Sequence, residues 1–251
     1  AKHLAQNKLL ARDRIKALLD DESTWLEIGK YAGHDLYQEP TPSANIVCGI
    51  GLVSGCWVMM IANDPTTKAG CYFPITIKKH LRAQEIALKL KLPCIYLVDS
   101  AGIYLPMQAQ SFADNNGFGK IFYNQAQLSN KKIPQIAIVF GSCVAGGAYI
   151  PAMSDETIMV ENQSSIFLAG PALVAAATKE QTDQQSLGGS ELHSKISGVA
   201  DYTAKNDIAA LKLCKDIIKT IPNTRKTPKK LAFTSNNQAT KIYGLIPKDQ
   251  R

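Results

Sequence analysis

The chain has 251 residues, of which 45% are hydrophobic and 20% are charged, a composition typical of a folded globular protein. This composition excludes intrinsic disorder and collagen-like repeats, and no stretch approaches the roughly 18–20 apolar residues of a membrane span. The formal net charge is +7, but residues 212–251 hold ten basic and two acidic side chains, leaving 18 basic and 19 acidic ones for residues 1–211. The positive charge therefore belongs to the C-terminal end and says little about partners.

Cysteine spacing and the N-terminal residues predict the cellular compartment of the protein. The six cysteines include no C-x-x-C pair and no Cys-His spacing suited to zinc, so we expect reduced thiols and no metal. Residues 1–24 lack the basic-then-apolar pattern of a secretory signal. We therefore expect a protein of the cytoplasm, or of the mitochondrial matrix in a eukaryote, with no membrane association.

Hydrophobic periodicity predicts helices and strands in alternation. In chain order these are a helix at 9–19, strands at 46–53 and 56–62, a helix at 75–92, a strand at 94–98, a helix at 118–128, a strand at 136–140, a short helix ending near residue 153, strands at 157–160 and 165–168, and helices at 172–178 and 206–220. Ser54-Gly55 suits a tight hairpin turn, because glycine tolerates positive φ. Buried strands followed by helices through glycine-rich turns indicate an α/β fold.

Two turns of small residues follow buried strands. Residues 99–102 read Asp-Ser-Ala-Gly, and residues 141–148 read Gly-Ser-Cys-Val-Ala-Gly-Gly-Ala before a predicted helix. Main-chain N–H groups at a helix start point outward, with the positive end of the helix dipole behind them. Two such turns on neighbouring strands could converge on one carbonyl oxygen as an oxyanion hole. The alternative is close packing of helix on sheet, which also requires small residues.

Nucleophiles and acid–base groups are harder to assign. Cys143 stands where a catalytic nucleophile would, but no histidine is spaced to partner it, and a small buried cysteine fits the same position. Ser100 and Ser142 lack the G-x-S-x-G pattern of hydrolases. The four histidines share no metal or triad spacing, so a catalyst built on a His-centred pair is not evident.

Two further segments have both a functional and a structural interpretation. Lys78 and Arg82 lie four residues apart on one predicted helical face, where they could receive phosphates or simply be solvated. The apolar residues 166–171 and the helix after them could form the wall of an acyl pocket, or could belong to the core.

Long parts of residues 8–221 resemble the carboxyltransferase (β) subunit of biotin-dependent acyl-CoA carboxylases. The resemblance is carried by NKLLARDRIKALLD, IANDPTTKAGCYFPITIKKHLRAQEIA, LPCIYLVDSAGIYLP, FYNQAQLS, PQIAIVFGSCVAGGAYIPAMSDE, IFLAGPALVAAATKE and LGGSELHSKISGVAD. Within the family, VDSAGIYLP and GGAYIPAMSDE are similar to the 3-methylcrotonyl-CoA and geranyl-CoA carboxylase branch. The resemblance implies an α/β crotonase-like (ClpP/crotonase) domain of repeated ββα units.

The resemblance also implies a domain organisation and partners. Residues 1–221 correspond to the N-terminal, acyl-CoA-binding domain, and residues 222–251 to a basic linker and the start of a C-terminal domain. We expect the chain to be the N-terminal half of such a subunit. The implied partners are an acyl-CoA, a biotin carboxylase with a biotin-carrier subunit, and further copies of the chain in a hexamer.

The resemblance gives the two turns a function. The thioester oxygen of the acyl-CoA would accept hydrogen bonds from Gly102 or Ile103 and from Gly146 or Gly147. Carboxybiotin on a partner subunit would supply carbon dioxide, and biotin rather than a side chain or a metal would act as the base. The residues implied to bind substrate are Ala101, Tyr104, Ala145, Phe167, Ala169, Gly170, Lys78 and Arg82.

Three departures from the family pattern bear on the substrate. Ala101 and Ala69 stand where glycine is usual, and Met107 stands where a basic residue is common. An extra methyl group beside the first turn could tighten packing or could narrow the acyl slot, so the substrate assignment stays open. A propionyl-CoA carboxyltransferase is the first alternative. A crotonase-fold hydratase or Clp-like serine peptidase is a second alternative. A nucleic-acid-binding module using the basic end is a third, although few aromatic residues interleave its lysines.

Overall fold

The computed structural model describes residue 3, residues 8–112 and residues 114–222. In this part of the chain an eight-stranded sheet has the order β1-β2-β3-β4-β5-β6-β8, and β7 pairs with the far end of β5. The strands are β1 (Leu26–Ile28), β2 (Ile46–Val53), β3 (Cys56–Asn63), β4 (Cys94–Ser100), β5 (Gln135–Val144), β6 (Glu156–Val160), β7 (Ser165–Phe167) and β8 (Tyr202–Ala204). The predicted linker at 222–251 lies almost wholly outside the described residues.

Helices lie on both faces of this sheet. The α-helices of the described residues are α1 (Ala11–Leu18), α2 (Pro74–Leu90), α3 (Gly119–Asn130), α4 (Tyr149–Ala152), α5 (Pro171–Thr178), α6 (Gln184–Gly188), α7 (Ser190–Leu192) and α8 (Asp207–Thr220). Asn206 caps α8, since its side chain accepts a hydrogen bond from the Ala209 N–H at 2.9 Å. No helix in the described part of the chain combines the length and the apolar composition needed to cross a bilayer.

The predicted hairpin is confirmed, and one predicted strand is corrected. Strands β2 and β3 pair antiparallel with Val53 opposite Cys56, and Ser54 and Gly55 both have positive φ, as a two-residue turn requires. Strand β5 extends to Val144, whereas the apolar pattern predicted an end at residue 140. The extension exists because residues 142–144 pair with β7, a contact that the local sequence does not show.

Two cores lie on opposite faces of the sheet. The first core packs α2, α3 and α4 on one face, and its members include Ile77, Leu81, Ile121, Leu128 and Ile150. The second core packs α1 and α8 on the other face, and its members include Ile15, Leu18, Leu211, Cys214 and Ile218. Strands β4 and β5 contribute alternate side chains to both cores, as strands buried on both faces do.

Arg14 is a fully buried basic residue of α1. Its side chain is 0% exposed, its Nε donates to Asp207 Oδ2 at 3.0 Å, and its guanidinium lies 4.0 Å from the centre of the Phe140 ring. The Arg14 Nη1 atom is also 3.5 Å from Asp99 Oδ2. This cluster joins α1, α8 and the end of β4 beneath the first turn.

Candidate functional site

The two turns of small residues meet in the structure. Strands β3, β4, β5 and β6 run parallel, and β4 and β5 are neighbours, so the turns that follow them lie at the same edge of the sheet. A β-carbon added at Gly102 would lie 2.9 Å from the Val144 carbonyl oxygen, and one added at Gly147 would lie 3.8 Å from the Gly102 nitrogen. The close approach of the two main chains requires glycine at Gly102, where φ is +87°.

The first turn leaves one main-chain donor free. The amides around Ile103 are engaged: Ala101 donates to Ala69 O at 3.0 Å, Gly102 to Ser100 Oγ at 3.1 Å, and Tyr104 to Tyr72 O at 2.9 Å. The Ile103 N–H makes no hydrogen bond to any residue that the structure describes. Of the two donors predicted for this turn, Ile103 is therefore the one available to a ligand.

The second turn places its glycines at the start of a helix. A 3-10 turn at Ala145–Ala148 leads directly into α4, and Ala145 has a left-handed φ of +51°. A left-handed residue followed by helical ones makes successive N–H groups converge on a common point, and the first N–H groups of a helix have no acceptor within it. Gly146 and Gly147 both belong to this first turn, so the arrangement can supply a second donor beside Ile103.

A wide cleft opens next to the first turn. Its volume is about 910 Å³, and its lining includes Ala69, Asp99, Ala101 and Ser142 together with the basic side chains His3 and Lys8. Ala101, one of the three departures from the family pattern, is thus part of the cleft wall. A cleft of this size beside the first turn, with basic groups on its wall, can hold a large anionic ligand.

Asp99 is a buried residue of the cleft lining, and its carboxylate pairs with the Arg14 guanidinium. Burial raises the pKa of its carboxyl group, and the nearby cations Lys8 and Arg14 oppose that rise. A β-carbon at Gly141 would collide with this carboxyl group, so the glycine makes room for it. The register of β4 on β5 shifts between Val98 and Ser100, and this irregularity turns the Asp99 side chain beneath the turn.

The nucleophile candidates are poorly placed for attack. Burial raises the pKa of the Cys143 thiol well above its usual value, and Asp99 adds to that rise, so the thiol stays protonated and unreactive. The Ser142 hydroxyl faces the cleft and accepts a hydrogen bond from Ser165 Oγ at 3.1 Å. The Ser100 Oγ is buried, donates to Gly70 O at 2.8 Å and accepts from the Gly102 N–H.

Some of the residues expected to bind substrate lie close to the turns. Phe167 pairs in register with Val144 at the end of β5, and the ring of Phe167 is 3.5 Å from the position of a β-carbon at Gly170. Tyr104 stacks on Phe73 with ring centres 4.3 Å apart, directly after Ile103. Ala145 belongs to the second turn itself, and Ala169 follows β7, which pairs with the end of β5.

Lys78 and Arg82 are not brought to the cleft. Both are exposed on α2, Arg82 pairs with Glu85 at 3.6 Å, and neither lines the cleft described above. Their assignment to a phosphate stays a prediction, as do the roles given to the other site residues.

Three residues that support the turns were not found from the sequence. Tyr72 donates its N–H to Gly102 O at 2.8 Å, while its own carbonyl accepts from the Tyr104 N–H, so it holds both sides of Ile103. Phe118 fills the space beside Gly146, and Arg14 pairs with Asp99. Periodicity places Arg14 and Phe118 in predicted helices and Tyr72 in none, and it gives no signal of these contacts, which join segments distant in the chain.

Comparisons with known proteins show the family of the chain. The family profile "Carboxyl transferase domain" matches residues 2–251. The chain is similar to the mitochondrial methylcrotonoyl-CoA carboxylase beta chain of Arabidopsis thaliana, with 54% identity over 233 residues, 93% of this chain and 40% of the relative. It therefore spans less than half the length of that relative, and it corresponds to the N-terminal half of such proteins.

Two solved structures have the same fold. The beta subunit of P. aeruginosa geranyl-CoA carboxylase superposes with a TM-score of 0.80 and 36% identity, covering 88% of this chain and 40% of that one. Transcarboxylase 12S, solved as a hexamer with hydrolysed methylmalonyl-coenzyme A bound, superposes with a TM-score of 0.82 and 28% identity, covering 99% of this chain and 49% of that one. These likenesses confirm the crotonase-like α/β fold class expected from the sequence.

Proposed function

The chain belongs to the carboxyl transferase domain family, and from this membership we propose that it binds an acyl-CoA thioester and stabilises the enolate of its acyl group for carboxylation. The observation that supports the proposal is the meeting of the two turns, where a β-carbon added at Gly147 would lie 3.8 Å from the Gly102 nitrogen and where the next N–H, that of Ile103, has no acceptor among the described residues. Such a pair of donors matches the oxygen of a thioester, on which negative charge develops when a saturated acyl group loses a proton from its α-carbon or an α,β-unsaturated one loses a proton from its γ-carbon.

Main-chain N–H groups, rather than side chains, supply the hydrogen bonds to the thioester oxygen. The Ile103 N–H and one N–H from Gly146 or Gly147 donate to the thioester oxygen, and both are fixed before the substrate arrives. Removing one such donor from an enzyme typically lowers kcat by about 10²–10³-fold. The positive end of the helix that begins at Ala145 adds to the stabilisation of the enolate.

The residues present fit a reaction in which biotin is carried by a partner. Asp99, the carboxylate beside the turns, is buried against Arg14 and is not free to act as a base. Biotin, when bound, supplies the carboxyl group and the base. The chain's own residues hold the acyl group still and leave the cleft open beside the first turn.

A branched, unsaturated acyl group is the substrate class we favour. The relative at 54% identity is named for methylcrotonoyl-CoA, and the structure at 36% identity is named for geranyl-CoA. Both acyl groups are α,β-unsaturated with a methyl branch at the β-carbon. Propionyl-CoA remains the alternative, because Ala101 adds a methyl group to the wall of the cleft and would favour a smaller acyl group.

Isothermal titration calorimetry tests the proposal directly. We expect 3-methylcrotonyl-CoA to bind this chain more tightly than propionyl-CoA, and free coenzyme A to bind more weakly than either because it lacks the thioester oxygen. A folded chain that binds none of the three contradicts the proposal, and tighter binding of propionyl-CoA contradicts the substrate class. A fluorophosphonate that labels Ser142 would favour the peptidase alternative.

The partners and the location follow from the same family membership. We propose that the chain acts with a biotin carboxylase and a biotin-carrier subunit, within a homo-hexamer, in the cytoplasm or the mitochondrial matrix. Transcarboxylase 12S forms a hexamer, and the Arabidopsis relative is mitochondrial, which supports both assignments. Size-exclusion chromatography with light scattering, with and without the biotin-carrying partner, tests the assembly.

A further inference from the structure

Four aromatic side chains form a continuous row beneath the second turn. We call them the aromatic bridge, and they are Tyr72, Phe118, Phe122 and Tyr149. The Tyr72 and Phe118 ring centres are 4.9 Å apart in an edge-to-face arrangement, Phe118 and Phe122 are 5.3 Å apart, and Phe122 and Tyr149 are also 5.3 Å apart. The row begins next to the first turn and ends at the first residue of α4, directly after the second turn.

Two neighbouring members of the aromatic bridge each contact one of the two turns. At one end, the Tyr72 main chain accepts from Tyr104 and donates to Gly102, so it fixes the segment that contains the free Ile103 N–H. Further along, the Phe118 ring packs directly against Gly146, where an added β-carbon would collide with it. One set of packed rings therefore determines how far apart the two turns lie.

We propose that Tyr72 and Phe118 are positioning residues that set the spacing between the Ile103 donor and the glycine donors of the second turn. The inference rests on the proposed function, because a spacing matters only if both turns donate to one oxygen. Tyr72 and Phe118 are 0% and 2% exposed, so neither touches the substrate, and both act through the main chain they hold. Aromatic edges in contact resist displacement, since each pair contributes about 0.5–1.5 kcal/mol beyond its buried area.

The arrangement also explains why small residues are needed at the second turn. Gly146 is required because the Phe118 ring occupies the place of its side chain, rather than because of a positive φ. Phe118 is anchored in turn by its N–H, which donates to Phe112 O at 3.1 Å at the start of α3. The position of the second turn is thus coupled to a helix that carries no predicted site residue.

Infrared spectroscopy of a bound thioester tests the inference. The probe is 3-methylcrotonyl-CoA labelled with ¹³C at the thioester carbon, whose C=O stretch falls in frequency when the oxygen accepts hydrogen bonds. In the wild-type chain we expect a clear downward shift on binding. In Phe118→Leu we expect at least half of that shift to be lost, because the second turn can relax into the vacated space and its donor moves from the oxygen.

A second variant and matched controls keep the test decisive. Phe122→Leu removes a half-buried ring from the same row, so it is expected to fold and to lose a smaller part of the shift. Tyr123→Leu on the same helix removes an exposed ring that contacts only Lys120 among the aromatic and cationic contacts described. Leu128→Ala removes buried volume from the same core at the other end of α3. Both controls should keep the wild-type shift.

The outcomes separate the inference from the function it rests on. A wild-type chain that binds the thioester without any shift of the carbonyl stretch overturns the proposed function, and the inference with it. A wild-type shift that persists unchanged in Phe122→Leu and in folded Phe118→Leu overturns the inference alone. Equal losses in the bridge variants and in Leu128→Ala would show general loosening of the core and would also overturn it. An unchanged affinity for free coenzyme A in each variant confirms that the coenzyme A part of the ligand still binds, so that a lost shift reports the thioester carbonyl alone.

Discussion

His80 shows how burial controls the chemistry of one side chain. It lies in the first core with Nδ1 3.0 Å from the Tyr72 hydroxyl, and its side chain is 0% exposed. Burial lowers the pKa of the His80 imidazole from its ordinary value of 6.5 to about 3. The ring therefore stays neutral in the folded protein over a range of pH in which the unfolded chain would bind a proton.

The lowered pKa of His80 predicts a loss of stability in mild acid. Below pH 6.5 the unfolded chain gains a proton at His80 and the folded chain does not, so stability is present above pH 6.5 and falls as the pH approaches 3. Between pH 7 and pH 5 the uptake of a proton by His80 in the unfolded chain lowers the free energy of unfolding by about 2 kcal/mol. Urea unfolding at both pH values should show that this part of the decrease disappears in His80→Gln.

The His80→Gln variant is also the control for other titrating groups. The raised pKa of Asp99 makes its own contribution to the pH dependence, but that contribution is present in both proteins and cancels in the comparison. An identical pH dependence in the wild type and the variant would contradict a buried, neutral His80.

Gly102 offers a second test at the scale of one residue. Gly102 and Gly198 both have positive φ, +87° and +71°, but a β-carbon meets the Val144 carbonyl at Gly102 and nothing within 4 Å at Gly198. We expect Gly198→Ala to cost about 1–2 kcal/mol of left-handed strain. Gly102→Ala should cost more and should also weaken acyl-CoA binding, since the methyl group pushes the two turns apart. Equal losses of stability with unchanged binding would contradict the close approach of the turns.

At the scale of elements, Arg14 joins the first and last described helices of the fold. It pairs with Asp207 at the start of α8 and approaches Asp99 at the end of β4. Arg14→Met leaves two buried carboxylates without their cation, and we expect a loss of about 3–5 kcal/mol. Arg12, two residues earlier on the same helix, pairs with Glu27 but is half exposed, so Arg12→Met should cost less than about 1 kcal/mol.

Denaturant unfolding of the two variants checks this contrast. The Gln163 side chain and the Leu9 N–H also donate to Asp207, so α8 should keep its position in Arg14→Met even as stability falls. Equal and small effects of both substitutions would show that the buried ion pair does not stabilise the fold.

The elements predicted correctly are those whose apolar pattern is set locally. Strand β4 and helix α2 have uninterrupted or periodic apolar residues, and both appear within two residues of the predicted limits. Strands β1 and β8 have three residues each, too few for any periodicity, and they exist because they pair with β2 and β6. Helix α1 was predicted, but the burial of Arg14 was not, because its partners lie far along the chain.

The candidate site was predictable in part for the same reason. Small residues after two buried strands indicated two turns at one sheet edge, and the structure brings them together. Which amide is free depends on acceptors supplied by other segments, such as Ala69 for Ala101 and Tyr72 for Tyr104. No local pattern encodes those two acceptors. The Gly102 N–H instead donates to the Ser100 hydroxyl two residues earlier, so a local serine turn was the one signal that could have distinguished Gly102 from Ile103.

At the scale of the whole molecule, both cores share one sheet and should unfold together. The chain has two tryptophans, Trp57 packed against the first core and Trp25 against the second. In Trp25→Phe and Trp57→Phe variants the remaining tryptophan reports one core, and we expect the two fluorescence midpoints in urea to coincide. Leu128→Ala in one core and Leu211→Ala in the other should each lower both midpoints by the equivalent of about 2–5 kcal/mol. Separate midpoints would show that the cores unfold independently.

The Arg14–Asp207 pair also sets an order of events during synthesis. Its members are 193 residues apart, and the neighbouring bond from the Leu9 N–H to Asp207 spans 198. A ribosome adding about 5–20 residues per second makes Asp207 roughly 10–40 s after Arg14. Throughout that interval the Arg14 guanidinium cannot pair with Asp207. Helix α1 therefore reaches its final position only after α8 has been synthesised. The helix that is made first among those described is thus among the last to reach its native position.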